Sequence, residues 1–241
     1  MKLKDKLVLD ERLGYAAELV PEGSVLLDVG TDHGYLPVKL LLDGKISRAG
    51  AADINVDPLQ KALNTGEKFR VSDRMSFYLS DGLLGIRDLT EYTAVSICGM
   101  GGELISRIIS DSDYIRENKI PLILQPMSSA EELSQYLACN GFDITDERIA
   151  FAAGKVYRVI LAVYDGTARE LSAVEHILGR INIDRGASQK NFDLLLQKYV
   201  LKYQRMVKGK TLGEVDCHTE QAILDELYRI AKREGIDYED S

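Results

Sequence analysis

Tryptophan is absent from this 241-residue sequence, and cysteine and histidine occur only three times each. Cys98, Cys139 and Cys217 are too few and too scattered for a disulfide framework, and no C-x-x-C pair is present, so reduced thiols are expected. Cys217 and His218 are adjacent rather than at ligand spacing, which leaves a zinc site without a donor set, and no metal is expected. No apolar run approaches the roughly 18 residues that a membrane span needs. The opening Met1-Lys2-Leu3-Lys4-Asp5-Lys6 is basic but leads into neither an apolar core nor a small-residue cleavage site, unlike a secretory signal. The expected address is cytoplasmic, with no membrane contact. A net charge of -8 argues against a protein that coats nucleic acid indiscriminately, while leaving room for a local basic grip.

What is present is an ordinary globular balance, 45% hydrophobic and 28% charged, with enough chain for a full core. Asp10 is placed to N-cap a helix that Pro21 and Gly23 end. Val25-Leu26-Leu27 reads as a buried strand, and a helix through Leu42 follows, with Gly44 as its cap. A second strand at residues 49–53, a helix opening at Asp57-Pro58, and a third strand at residues 75–79 continue the alternation. A fourth strand at residues 94–98 precedes a helix with Leu104, Ile105, Ile108 and Ile109 on one face. A fifth strand at residues 122–126 leads to a capping box, Ser129-x-x-Glu132, and a helix ending at Asn140-Gly141. Two strands, around residues 142–149 and 156–164, then follow with only Gly154 to turn the chain between them. This pattern predicts an α/β fold, a doubly wound parallel sheet with an antiparallel edge.

Past Gly166 the strand signal stops. Leu171, Val174, Leu178 and Ile181 suggest one helix seam, a second helix carries Phe192 to Lys208, and a break from Gly209 to Gly213 precedes a third helix through Ile230. The expected organisation is a domain of residues 1–166 and a helical bundle or coiled hairpin of residues 167–241. Between Lys190 and Lys210 six basic residues meet only Asp193.

The most informative stretch joins the first strand to its helix: Asp28-Val29-Gly30-Thr31-Asp32-His33-Gly34-Tyr35-Leu36-Pro37. Its glycines let backbone approach a ligand, and Pro37 suits the first helical turn. The spacing is D-x-G-x-x-x-G rather than the G-x-G-x-x-G of a dinucleotide site. Asp28 and Asp32 would repel a pyrophosphate but suit the sulfonium and ammonium of S-adenosylmethionine. A tight turn with no ligand is the competing reading of the glycines alone. Asp53, ending the second strand, is placed to accept ribose hydroxyls, and Asp81-Gly82 to meet an adenine ring and its amino group. Gly99-Met100-Gly101-Gly102 ends the fourth strand where amino methyltransferases carry D/N-P-P-Y or F, and offers backbone groups and open space instead. Gln125-Pro126 ends the fifth strand facing the same crevice.

Together with Leu13 to Pro21 and the run Gly99 to Ile105, these motifs make the chain resemble the bacterial tRNA (adenine-22-N1)-methyltransferases over nearly its whole length. The resemblance implies a class I S-adenosylmethionine-dependent fold with a C-terminal coiled coil, and a tRNA substrate. Met127, after Gln-Pro, and Arg158 depart from the family pattern, which favours a polar and an acidic residue there. The cofactor residues implied are Asp28, Gly30, Asp32, His33, Gly34, Tyr35, Asp53, Ile54, Asn55, Asp81, Gly82, Gly99, Met100 and Gly101. Arg12, Tyr15, Gly102, Gln125 and Pro126 are the implied substrate contacts, and Lys190, Lys198, Lys202, Arg205 and Lys208 would grip phosphates. Adenine N1 would attack the sulfonium methyl in line, a step that demands alignment more than a base. Asp10, Asp32 and the Gly99 region are the candidates to offset the developing charge or take a proton, with His33 behind them. A small-molecule or protein methyltransferase with the tail as lid or dimer contact, and an RNA-binding adaptor without turnover, are the alternatives. A monomer or weak dimer is expected.

Overall fold

The computed structural model describes residues 6–236, so the reading of residues 1–5 and the last five residues of the predicted tail lie outside the described residues. The first helix, α1 (Glu11–Leu19), is capped by Asp10, whose side chain accepts from the Leu13 amide. It leads to β1 (Val25–Val29), α2 (Tyr35–Leu42), β2 (Arg48–Asp53), α3 (Val56–Phe69) and β3 (Met75–Leu79). There follow β4 (Ala94–Gly101), α4 (Gly102–Ser110), α5 (Asp113–Glu117), β5 (Leu122–Ser128), α6 (Ala130–Cys139), β6 (Phe142–Ala152) and β7 (Lys155–Tyr164). The seven strands form one sheet in the order β3-β2-β1-β4-β5-β7-β6. The first five are parallel, whereas β7 runs antiparallel to both β5 and β6, as the missing helix between β6 and β7 demands.

Strict alternation along each strand divides the core. Leu26, Ala49, Ala51, Ala94 and Ile123 face α1 to α3, while Leu27, Ala52, Val95, Ile97 and Leu124 face Ile105, Ile109, Leu133 and Leu137 of α4 and α6. Chain order reverses between β1 and β4, and this switch point is where an open α/β sheet offers a crevice at its carboxyl edge.

A third cluster lies under the tail helices α7 (Ala173–Leu178), α8 (Arg180–Arg185), α9 (Phe192–Leu212) and α10 (His218–Arg233). It takes in Ile149 from β6. Pairs between Gln204 and Tyr228 and between Lys210 and Glu220 show that α9 and α10 pack antiparallel. The single seam expected from Leu171 to Ile181 is instead two short helices, because Gly179 (φ 87) breaks the chain where it crosses the Glu147 carboxylate. There a Cβ would overlap that carboxylate.

Three further expectations are corrected. Ser129 is in the left-handed region (φ 52) and makes no side-chain cap, so the predicted capping box does not form. The third helix begins at Val56 with Asn55 as its flanking residue, placing Asp57 inside the first turn rather than at the cap. The tail's second helix runs through Gly209 and stops only at Gly213, with Lys210 of this last stretch paired to Glu220 of the hairpin partner, and one glycine's helix penalty of about 1 kcal/mol does not end it.

Candidate active site

The β1–α2 loop is built from three left-handed residues, Gly30 (φ 75), Asp32 (φ 43) and Gly34 (φ 67). Gly30 and Thr31 donate their amides to Ala52 O, at 2.8 and 3.2 Å, which holds the loop across the end of β2. Two of the glycines also answer a close approach. A Cβ on Gly34 would sit 3.0 Å from the Ala62 side chain of α3, and one on Gly30 would overlap the Met100 methyl. Met100 reaches that position because β4 bulges at Gly99 (φ 81), which lies open beside the crevice with no atom near a would-be Cβ.

The resulting cavity, about 370 Å³, is lined by Arg12, Leu13, Asp28, Gly30, Thr31, Asp32, His33, Tyr35, Leu36, Cys98, Gly99 and Met127. Asp28 forms its buried floor, where Ser96 Oγ donates to Oδ1 at 2.6 Å. Burial pushes the Asp28 carboxyl up, and the hydrogen bond from Ser96 only partly holds it back. Asp32 is exposed at the mouth, 3.6 Å from His33 Nε2, and His33 stacks on Tyr35 with ring centroids 5.0 Å apart. Burial drives the Cys98 thiol far up, so it is a lining group rather than a nucleophile.

Asp53, Ile54, Asn55, Asp81 and Gly82 stand at the ends of β2 and β3 on a shelf outside this cavity. Asp53 Oδ1 accepts from the Asn55 amide at 2.9 Å, and Ile54 is 61% exposed. Asp81 pairs with Arg107 at 2.9 Å, and Gly82 (φ 58) packs on Ile108. Gly101 precedes α4, whose first residue, Gly102, admits the Ser129 carbonyl so closely that a Cβ would overlap it. Gly102 is therefore a packing position.

On the facing wall Arg12 gathers four partners. Its Nη2 lies 2.6 Å from Asp10 Oδ2, its Nη1 3.2 Å from Gln125 Oε1 and 3.1 Å from Met127 Sδ, and its guanidinium lies over the Tyr157 ring at 5.5 Å. Gln125 is fully buried and turns its amide to Pro126 O at 2.8 Å. Asp10 already serves the helix cap through one oxygen and Arg12 through the other. It is committed to structure on both sides.

The remaining predicted contacts do not line the cavity. Tyr15 and Lys190 both gather at Glu11, which also accepts the Phe151 amide at 2.8 Å. Lys202 and Tyr199 hold Glu131 at the start of α6, at 2.6 and 3.1 Å, and Lys198 lies over the Tyr199 ring. Two of the predicted phosphate grips are thus latches: Lys190 ties the segment just before α9 to α1, and Lys202 ties α9 to α6. Arg205 and Lys208 stand exposed further along α9, without an ion pair among the described residues.

Leu13, Thr31, Leu36, Cys98 and Tyr157 were not named as site residues in the sequence, and Met127 was named only as a departure from the family pattern. Thr31, Leu36, Cys98 and Met127 sit in or beside a recognised motif at the carboxyl edge of the sheet, whereas Leu13 on α1 and Tyr157 on β7 carried no such signal. Both departures from the family pattern find partners: Met127 sulfur meets Arg12, and Arg158 pairs with buried Glu147. Among the described residues no group of three or more His, Cys, Asp or Glu is placed to hold a metal, and no helix is long and apolar enough to cross a membrane.

A family model described as a methyltransferase domain matches residues 9–160. The tRNA (adenine(22)-N(1))-methyltransferase of Bacillus subtilis is 36% identical over 169 residues, covering 67% of this chain and 71% of that protein. Among solved structures, the Streptococcus pneumoniae protein Sp1610 in complex with S-adenosyl-L-methionine superposes with a TM-score of 0.80 at 27% identity, over 92% of this chain and 99% of that one. The B. subtilis m1A22 tRNA methyltransferase TrmK superposes with a TM-score of 0.74 at 28% identity, over 95% and 97%. The chain belongs to the tRNA (adenine(22)-N1)-methyltransferase family.

Proposed function

We propose that this protein transfers a methyl group from S-adenosylmethionine to N1 of adenine 22 in tRNA. The observation that carries this reading is a cavity with a buried carboxylate at its floor, opening beneath an arginine that four side chains hold. A pyrophosphate would meet Asp28 and Asp32 as repulsion, whereas the cofactor's cationic amino acid portion fits them. Asp28 and the Gly30 to Tyr35 loop would hold that portion, and the shelf of Asp53, Ile54, Asn55, Asp81 and Gly82 its nucleoside. When bound, the cofactor supplies an electrophilic methyl on a sulfonium centre.

The chain's own task is alignment and charge. Gly99, open at the bulge, leaves room for a base ring and a carbonyl to meet it, with Met100 and Gly101 shaping the bulge around it. Asp32 is the exposed carboxylate at the cavity mouth and the best placed to offset the charge that N1 methylation puts on adenine. Asp10, with both oxygens engaged, acts through Arg12 as a positioning residue. Gln125 and Pro126 fix the Arg12 wall, and Arg12 offers a cation to a nucleotide phosphate.

The division into residues 1–166 and 167–241 belongs to this reading, with the tail as the tRNA-binding part. Arg205, Lys208 and Lys198 are its phosphate contacts, while Lys190 and Lys202 orient the helix that carries them. Tyr15 supports that junction through Glu11. The test is methyl transfer to an unmodified tRNA with adenine at position 22 and to the same tRNA with guanine there. Incorporation into the first alone is expected, and equal incorporation into both overturns the assignment.

A further inference from the structure

The β6–β7 hairpin ends in a tight turn, with Ala153 (φ 49) and Gly154 (φ 73) both left-handed, closed by the Ala152–Lys155 pair two pairs beyond Ala150–Tyr157. Tyr157 is the ring beneath Arg12, a residue of the cavity wall, so the hairpin stands beside that wall. Two residues of this tip have no structural task. Phe151 lies on the same strand face as Ile149, which is fully buried against the tail, yet its side chain is 45% exposed. Lys155 is exposed and has no ion-pair partner among the described residues.

The backbone that carries Phe151 is nevertheless tied down. Its amide donates to Glu11 Oε2 at 2.8 Å, Glu11 pairs with Lys190, and Asn191 Nδ2 donates to Ile149 O at 2.8 Å. An exposed aromatic ring on one face of an anchored hairpin, with a free cation on the other face at its tip, suits insertion between a stacked base and a phosphate better than it suits water.

We propose that Phe151 and Lys155 form an RNA-contacting wedge: Phe151 stacks in the gap left when the target adenine turns out of the folded tRNA, and Lys155 meets the adjoining phosphate. An enzyme that works on a stacked base must offset the stacking lost on extrusion, and an inserted apolar side chain is a general means of doing so. The hairpin rather than α9 is the element for this, because its Tyr157 touches Arg12 of the cavity wall while the free cations of α9 lie further along the tail. The inference rests on the tRNA reading above and adds to it the element that exposes the base.

The experiment compares the wild type with Phe151→Ala, Phe151→Trp and Lys155→Ala on unmodified tRNA and on a tRNA mismatched opposite the target adenine, with S-adenosylmethionine binding measured in parallel. Phe151→Ala is expected to lower kcat about tenfold on the paired tRNA, the scale of one lost base–aromatic stack. Phe151→Trp keeps activity, and the mismatch, which makes extrusion easier, returns Phe151→Ala to within about twofold of wild type. Lys155→Ala raises KM with kcat unchanged, and cofactor affinity is the same in all four proteins. Wild-type turnover by Phe151→Ala, or an equal loss on both tRNAs, overturns the wedge. An active wild type with an unaffected Phe151→Ala removes the wedge alone, whereas a wild type inactive on every tRNA removes the function it rests on.

Discussion

The Arg158 guanidinium and the Glu147 carboxylate, 1% and 0% exposed, pair across the β6–β7 hairpin beneath the tail. Arg158 also donates to the His176 carbonyl at 2.6 Å at the end of α7, and Arg185 of α8 donates to Glu147 O at 2.7 Å. One buried ion pair therefore joins the sheet edge to the first two tail helices. Arg158→Met, which leaves Glu147 charged and buried, is expected to destabilise the fold by about 3–5 kcal/mol in chemical denaturation. Adding Glu147→Leu removes the stranded charge and recovers much of that loss. A single variant as stable as the wild type would show that the pair does not hold the junction.

The same junction limits what a truncation can say. Removing the tail uncovers Ile149 and this ion pair, so charge reversal of exposed residues is the cleaner probe of RNA contact. Arg205→Glu with Lys208→Glu is expected to weaken tRNA binding and reduce the slope of log affinity against log salt by about one per lost phosphate contact. Cofactor affinity stays constant. Lys202→Glu, by contrast, places two carboxylates together at Glu131 and lowers the melting temperature. Filter binding across a salt series with parallel thermal melts separates these outcomes, and unchanged tRNA affinity in the double variant counts against the tail as the grip.

Much of this architecture was legible because it rests on local chemistry. Alternating apolar runs located the five parallel strands, and the glycine spacing located the β1–α2 loop that lines the cavity. What escaped depends on partners distant in sequence. Ser129 matches a capping-box pattern, but the approach of its carbonyl to Gly102 sets a left-handed backbone that the pattern cannot register. Lys190 and Lys202 read as a basic face because Glu11 and Glu131 lie 179 and 71 residues away. Tyr157 gave no signal, since its role under Arg12 arises only when β7 folds back beside β5.

Acid should loosen the tail through two carboxylates. Burial pushes Glu131 and Glu11 up, but hydrogen bonds from Lys202 and from Lys190, with backbone amides, outweigh it and leave both below the usual range. A depressed folded value contributes stability above the unfolded value, about 4.3 for Glu, and loses it as pH falls through the lower folded value. Denaturation midpoints should thus decline from about pH 4.3 downward, with a shallower decline in Glu131→Gln and Glu11→Gln. Parallel curves for all three proteins would contradict the latch.

Asp28 behaves in the opposite sense. Its raised carboxyl contributes most to folding while protonated, and that contribution fades as pH rises from the unfolded value through the folded one. The charged form is what a cationic ligand needs, so S-adenosylmethionine affinity should climb through that interval, with proton release seen by calorimetry in buffers of differing ionisation heat. Ser96→Ala removes a hydrogen bond that favours the charged form and should move the climb to higher pH. An affinity flat in pH would separate Asp28 from the cofactor.

The central claim is the identity of the product. Wild-type protein incubated with labelled S-adenosylmethionine and unmodified tRNA, followed by nuclease digestion and mass-spectrometric mapping of nucleosides, should place the label in N1-methyladenosine at position 22. Label in N6-methyladenosine, at another position, or in no nucleoside would contradict the account.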